Sequence, residues 1–305
     1  MNHAFLMMVH DEPELALRIV NRLIAPNHFI FMHVDRKISK EHFNFSLKGL
    51  TILPNDSRVR VSWGGFSQVE AEFQLMKSAL TCGIDMDYFH LISGHDYPIV
   101  SNNLLDDFFE KNNGKSFLYY DKEDEALLWR KKKYPGRVCR YHLNDINIKP
   151  LLLKRILSKM LSIKKRPYIE NLFAGWQWWS FNKTVITWLS SHHQDYSAMA
   201  KRFRFTACSD ELFFQTILHP FVKQLNIETT TSLRYIDWHP KRPTKSLPLI
   251  LDARDYEEII QSGMLFCRKV TLSKSIELLY ENLSGSIFIV FDLSSKLFFS
   301  KSIEL

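Results

Sequence analysis

The chain has 305 residues, 46% of them apolar, and a formal net charge of +7. That is enough apolar material for a sizeable core, in one α/β domain or two small ones. The four cysteines, Cys82, Cys139, Cys208 and Cys267, lie too far apart for a metal knuckle or a dense disulfide framework, and no self-similar period marks a solenoid. No uncharged apolar run reaches the ~18 residues of a membrane span, so a reduced cytosolic chain with at most peripheral membrane contact is expected.

Met1 to His10 is apolar, too short for a secretory core and without a basic leader, and Ala4 to Val9 reads as a first strand. Pro13 suits a first helical turn, and Leu15, Leu17, Ile19, Val20 and Leu23 follow before Pro26. His28 to Asp35 is a strand ending in an acid, Val59 to Ser62 a short strand, Ser67 to Ala79 a helix and Tyr88 to Ile92 a strand. Asn102 to Glu110 then reads as a helix and Ser116 to Tyr120 as a strand. The alternation predicts a mostly parallel central sheet flanked by helices, with ligands gathering beyond the strands' carboxyl ends, where His10, Asp35 and the loop at Ser93 to Pro98 meet.

The charge is uneven. Between Arg130 and Arg166 stand thirteen Lys or Arg residues and one acid, Asp145. Within that segment, Leu152, Leu153, Ile156, Leu157, Met160 and Leu161 fall on one helical face and Lys154, Arg155, Lys159 and Lys165 on the other. Two uses fit a basic amphipathic helix over Pro150 to Arg166: lying on anionic lipid, or docking its apolar face on the core. Nucleic-acid binding is not expected, because no glycine-flanked aromatic motif or zinc knuckle accompanies the charge. No linker divides the chain, so one domain is expected over residues 1–275, with a nucleotide-sugar-binding half at 1–120 and an acceptor half at 121–275. Residues 276–305 alternate apolar and polar positions as a helix or hairpin extension of unassigned role.

Four segments carry a more specific signal: Met8-Val9-His10, Ile30 to Lys37, Val61 to Glu72 (VSWGGFSQVEAE) and Tyr88 to Pro98 (YFHLISGHDYP). Downstream stand Phe173 to Ser180 (FAGWQWWS), Ser209-Asp210-Glu211, Leu233 to Trp238 (LRYIDW) and Leu265 to Lys269 (LFCRK). In order and spacing this set resembles the core-2/I-branching β-1,6-N-acetylglucosaminyltransferases and peptide O-xylosyltransferases, over roughly residues 3 to 270.

The resemblance implies a GT-A-like, Rossmann-like fold and inverting transfer from a UDP-sugar without a divalent metal or other cofactor. Asp85-Met86-Asp87 precedes its strand, the wrong end for a ligand site. Inverting transfer needs a base for the acceptor hydroxyl and positive charge for the departing diphosphate. Glu211 is the candidate base, with Ser209 as a helix N-cap and Asp210 beside it in the first turn. The resemblance assigns Arg234 and Lys269 to the diphosphate, with adjacent Arg268 an alternative, and places Val9, His10, Asp35 and Arg36 around the nucleotide. Trp63, Gly64, Ser93, Gly94, Asp96, Trp176 and Trp178 fall near donor or acceptor sugar, tryptophan faces being good sugar platforms. Trp179 reads equally as one face of a buried strand.

Only 22 residues separate Glu211 from Arg234. The animal branching enzymes carry a longer insert there, so their acceptor contacts do not transfer. The segment from Asp121 to Tyr141, with Trp129, Arg130 and Arg140, falls on the acceptor side. A bacterial-type cytosolic enzyme acting on surface polysaccharide or lipid-linked oligosaccharide is the expectation. A glycoside hydrolase would need a second carboxylate, Asp96 or Asp237, opposite Glu211, and a non-catalytic glycan- or membrane-binding protein would need no base at all.

Overall fold

The structure is a computed structural model that describes residues 1–122 and 134–277. Strand β1 (His3–Val9) is flanked by two parallel neighbours, β2 (His28–Val34) and β4 (Tyr88–Ser93). The sheet runs β3 (Leu50–Ile52), β2, β1, β4, β7 (Trp179–Asn182), β6 (Ser116–Leu118), β8 (Ile227–Glu228). β7 is antiparallel to both neighbours, so the parallel half ends at β4.

The period of two along β1 divides the core. Ala4 and Leu6 face a cluster that includes Val69, Leu75 and Met76 of helix α2 (Ser67–Leu80), together with Trp179, Phe213 and Phe214. Phe5, Met7 and Val9 face the other cluster, with Leu15, Ile19 and Leu23 of helix α1 (Pro13–Leu23) and Leu105 and Phe109 of helix α3 (Asn102–Lys111). Both faces of β1 are covered, which is why its sequence is a continuous apolar run rather than an alternation. A small second sheet joins β5 (Tyr97–Pro98), β10 (Phe266–Arg268) and β9 (Arg234–Ile236), bringing three distant segments of chain beside the end of β4.

Three expectations need correcting. Val59 to Ser62 is not a strand: the segment is held by single bonds, with Arg36 N donating to Val59 O at 3.0 Å and Val59 N donating to His33 Nε2 at 2.8 Å. Ser209 is not a helix cap: Ser209–Glu211 is one 3-10 turn led by Cys208 at φ 52°, and the Ser209 hydroxyl donates to Thr206 O. The helix over Pro150 to Arg166 forms as Leu151–Ile163, but its apolar side chains do not dock on the core, for Leu152, Leu153, Ile156, Met160 and Ile163 are exposed. Among the described residues no helix is long and apolar enough to cross a membrane. Trp129, Arg130 and the rest of 123–133 fall outside the described residues, as do the tail residues 278–305.

Candidate active site

The carboxyl ends of β1, β2 and β4 are pinned side by side. Asp35 N donates to Val9 O at 2.9 Å, and Gly94 N donates to Met8 O at 3.0 Å. A Cβ on Gly94 would lie 3.3 Å from Val9 Cγ1, so the absence of a side chain lets the loop after β4 close against β1. Val9 and Asp35 are buried at this edge while His10 and Arg36 are exposed, a row of apolar, acidic and basic groups at the topological switch of the sheet. Asp35 accepts from Lys37 N at 2.9 Å, and its other oxygen lies 3.2 Å from Lys37 Nζ.

Beyond this row stands a hydrogen-bonded pair absent from the sequence-derived site, Asp11 Oδ1 and His95 Nε2 at 3.0 Å, with His95 Nδ1 2.8 Å from Val270 O. The bond to His95 holds the Asp11 carboxyl below its usual range, and partial burial lowers the His10 imidazole. His10, Asp11 and His95 offer ligand atoms within 4.8 Å of one another, a set that could take a cation. Lys269 opposes that use, since its charge already acts on both His10 and Asp11.

The loop after β4 builds the next part. Asp96 Oδ2 accepts from Ser93 N at 2.7 Å and Ser93 Oγ at 2.5 Å. Arg268 Nη1 adds bonds of 2.6 Å to Ser93 Oγ and 3.0 Å to Asp96 Oδ2, and its guanidinium carbon stands 4.3 Å from the Trp178 ring centroid. One nitrogen thereby anchors Arg268, leaving Nε and Nη2 without a bond to any described residue. A planar cation held on an aromatic face with two donors free is suited to phosphate oxygens.

Arg234 is not so placed. It is 2% exposed, and its guanidinium donates to Leu91 O at 2.6 Å, Trp179 O at 3.2 Å, Ser180 Oγ at 3.4 Å and Ser232 O. Burial lowers its pKa to about 10. The side chain ties β4, β7 and β9 together from within the core, and in this arrangement it does not reach a diphosphate. Arg268 and Lys269, by contrast, are each half-buried and nearer the surface.

The carboxylate end is built by Cys208 to Glu211. Glu211 is 32% exposed, its Oε2 accepts from Arg137 Nη1 at 2.7 Å, and its Oε1 has no bond to a described residue. Glu211 therefore takes its positive partner from a side chain 74 positions earlier rather than from a helix terminus. Asp210 is buried with Oδ1 unpartnered, and desolvation, helped by the charge of Glu211, pushes it up to about 7. Glu72 on α2 is also buried, receives Gln177 Nε2 at 2.9 Å and Trp179 Nε1 at 3.2 Å, and is pushed up to about 8 by burial. Trp179 is thus a core residue.

Two segments connect the ends of the site. Gly64, at φ 65°, accepts through its carbonyl from Cys208 N at 2.8 Å and Asn144 Nδ2 at 2.9 Å, which fixes the Trp63 loop against the turn carrying Glu211. Trp63 itself is 87% exposed. Gly175 N donates to Glu211 O at 3.0 Å, and three residues later Trp178 lies under Arg268. Three residues of extended chain span at most about 10–11 Å, so one short segment, Gly175 to Trp178, links the backbone at Glu211 to the cation at Arg268. Trp176, between them, is half-buried against Tyr119 at 4.5 Å between ring centroids. Next to Gly175 in sequence, Phe173 and Ala174 line a cavity of about 570 Å³ together with Tyr120, Asp121, Tyr134 and His219.

Comparison with known proteins gives this geometry a lineage. Residues 3–260 match the family described as Branch, Core-2/I-Branching enzyme. The chain belongs to that family. Among curated relatives it is 24% identical over 246 residues to xylosyltransferase 1 of Rattus norvegicus, covering 78% of this chain and 28% of the relative. It is 30% identical over 183 residues to the beta-1,3-galactosyl-O-glycosyl-glycoprotein beta-1,6-N-acetylglucosaminyltransferase 3 of Homo sapiens, covering 56% of this chain and 41% of the relative. Xylosyltransferase oxt of Drosophila melanogaster is 24% identical over 254 residues, 79% of this chain and 27% of the relative. The chain thus spans between about a quarter and two-fifths of the length of these relatives. Its α/β architecture, a seven-stranded sheet flanked by helices, is the GT-A-like arrangement that family membership leads one to expect.

The sequence-derived site residues fall into two groups. Val9, Asp35, Ser93, Gly94, Asp96, Trp178, Arg268 and Lys269 converge at the sheet edge, while Gly64, Asp210 and Glu211 meet through the 208 turn. Arg234 is drawn into the core, its guanidinium spent on backbone carbonyls and Ser180. Arg137, Asp11 and Glu72 were missed. Asp11 had a signal in its adjacency to His10 and Glu72 in closing the Val61 to Glu72 motif, whereas Arg137 stood among many basic residues with nothing to single it out.

Proposed function

We propose that the chain is an inverting glycosyltransferase that moves a GlcNAc- or xylose-like sugar from a UDP-sugar to a glycan hydroxyl without a metal at the reacting centre. Glu211 supports this most directly: it is 32% exposed, one oxygen is held by Arg137, and the other has no bond to a described residue. In the proposed step Glu211 takes the proton of the acceptor hydroxyl, whose oxygen bonds to the anomeric carbon as the bond to UDP breaks with its electron pair. The charge that grows on the diphosphate falls to Arg268 and Lys269, while Val9 and Asp35 hold the nucleoside. A hydrolase is less well supported, because the nominated Asp96 is buried and occupied by Ser93 and Arg268, and Asp237 accepts from His239 N at 2.9 Å.

The acceptor in this reading is a glycan carried on a lipid. The exposed apolar residues of the helix Leu151–Ile163 stand in a stretch of sequence with a large basic excess, the combination that lies on an anionic bilayer. The reading keeps the catalytic half at the cytoplasmic face of a membrane. Flotation with vesicles containing anionic lipid tests it, wild type rising with the vesicles and Met160→Glu with Ile163→Glu staying behind; equal recovery would remove the membrane from the proposal.

Calorimetric titration with UDP in EDTA, and again with Mn²⁺, tests the transferase itself. Binding of equal strength in both conditions that weakens in Arg268→Ala is expected. No binding in either condition would overturn the reading, and binding only with Mn²⁺ would move the diphosphate to a cation on His10, Asp11 and His95.

A further inference from the structure

At the opposite end of the sheet lies a cluster that the proposed reaction does not use. His3 and His28 are adjacent across the amino ends of β1 and β2, and both are buried, while Asp106 of α3 reaches them from above. His28 Nε2 stands 2.7 Å from Asp106 Oδ1, and His3 Nε2 stands 3.4 Å from the same oxygen. Nothing else bonds the His3 nitrogen, which is a buried polar atom without a hydrogen-bond partner.

The proton positions make this arrangement informative. His28 Nδ1 lies 2.8 Å from Leu23 O, an atom that only accepts, so Nδ1 carries the hydrogen. A neutral ring in that tautomer turns the bare lone pair of Nε2 towards a carboxylate oxygen. His3 Nδ1 is occupied by His90 Nε2 at 3.0 Å, and its Nε2 faces the same carboxylate oxygen at 3.4 Å without a hydrogen bond. Two ring nitrogens and a carboxylate oxygen thus lie within 4.8 Å of one another, and a positive centre between them would engage all three.

We propose that this is a binding site for a zinc-class divalent ion, held by His3 Nε2, His28 Nε2 and the Asp106 carboxylate. The donor set of two imidazoles and one carboxylate is of the borderline type that such ions take. Metal–ligand bonds of about 2.0–2.2 Å in a tetrahedron put ligand atoms about 3.3–3.5 Å apart. The His3 to Asp106 separation already has that length, and the His28 to Asp106 contact opens by about half an ångström when the ion replaces a shared proton.

The surroundings carry the argument further than the three ligands. Each one is oriented through its remote atom: His28 by Leu23 O, His3 by His90, and Asp106 by Asn27 Nδ2, which donates to Oδ2 at 2.9 Å. His90 is itself fixed by Ser180 Oγ at 3.0 Å. A carbonyl or side chain behind every ligand is the usual second layer of a metal centre, and accidental histidine pairs have no reason to possess it. Asp106 is partly exposed, so solvent reaches the site to supply a fourth ligand. The ion fastens β1, β2 and α3 at the end of the sheet remote from the reaction, and its role is structural.

The test is zinc stoichiometry of the full chain after EDTA treatment and dialysis, read by elemental analysis and by calorimetric titration with Zn²⁺. One equivalent is expected, with a rise in Tm on adding Zn²⁺ that EDTA reverses. Asn27→Ala removes the orienting bond on Asp106, together with a bond to Met1 O, and should weaken binding about 10–100-fold in a protein that still folds. His28→Gln should abolish the equivalent, and X-ray absorption at the zinc edge of the wild type should report two imidazoles and a carboxylate, a readout that needs no variant. No retained zinc and a Tm indifferent to it would mean that a proton fills the site. One equivalent that survives His28→Gln would place the ion elsewhere, and either outcome overturns the proposal.

Discussion

The two ends of the central sheet hold the same kinds of side chain and put them to opposite uses. At the carboxyl end, Arg268 is anchored by one nitrogen and keeps two donors free, and Glu211 keeps one oxygen free. At the amino end His3, His28 and His90 are buried, and their nitrogens face one another, Asp106, Leu23 O and Ser180. Arg234 lies between the two regimes: it belongs by position to the reactive end and by burial to the sealed one. The difference shows that charge in a sequence motif identifies chemistry only when an unsatisfied part of the group also stays within reach of a ligand, as the unpartnered but buried Nε of Arg234 does not.

The largest effect that would break this contrast is at Glu211. Glu211→Gln should lower kcat by about 10²–10⁴-fold, the usual share of a positioned base, while UDP affinity and Tm stay near wild type. A variant that still turns over at more than a tenth of the wild-type rate would show that Glu211 is not the base. The next effect separates the two arginines. Arg234→Ala removes bonds to three buried carbonyls and should cost about 3 kcal/mol or more in denaturant unfolding, with UDP binding unchanged in the fraction that remains folded. Arg268→Ala should weaken UDP binding by about 10–100-fold in the folded protein, since each charge-assisted bond contributes about 1.5–3 kcal/mol, and should also cost stability by taking a cation from buried Asp96. A loss of UDP binding in a stable Arg234 variant would return that residue to the diphosphate.

A smaller, pH-linked effect comes from the buried acids. Glu72 is raised from 4.5 to about 8 and Asp210 from 3.8 to about 7, so between the unfolded and folded values the native state holds protons that the unfolded chain has lost. Stability should therefore fall as pH rises from about 5 to about 8, and Tm measured across that window should decline. Glu72→Gln should flatten the decline, and an unchanged slope would mean that Glu72 titrates as an ordinary surface acid does. Least of all should Trp63→Ala disturb the fold: its side chain is 87% exposed, so a change within about 0.5 kcal/mol is expected. Its effect belongs in KM for acceptor or donor, and an unaltered KM would remove Trp63 from the site.

Much of the parallel half was legible because burial on both faces writes β1, β2 and β4 as predominantly apolar runs, with Pro13 announcing the first helix. The edge formed by Val9, Asp35 and Ser93 followed from that order. Val59 to Ser62 misled because its alternation matches a strand, whereas its partner atoms are a histidine ring and a single amide. Ser209 misled in another way, since a serine before two acids is a helix-start pattern that the backbone at Cys208 turns into a 3-10 turn. Arg137 could not be found, because an ion pair between residues 74 apart leaves no local trace. Nor could the exposure of the helix Leu151–Ile163 be read, for an amphipathic pattern specifies a face and not its partner.

The small sheet that delivers Arg268 has a consequence for the order in which the molecule matures. β10 pairs with β5 and β9, and the bonds from Arg268 to Ser93 and Asp96 join residues 175 and 172 positions apart. Such closures come late, because a long loop must be drawn in before the contact returns any free energy. On the ribosome the parallel half can condense while β10 is still unmade. On the proposed reading, competence to hold a diphosphate therefore arrives only when synthesis has passed residue 269, and a nascent chain could not sequester donor before Arg268 and Lys269 are in place.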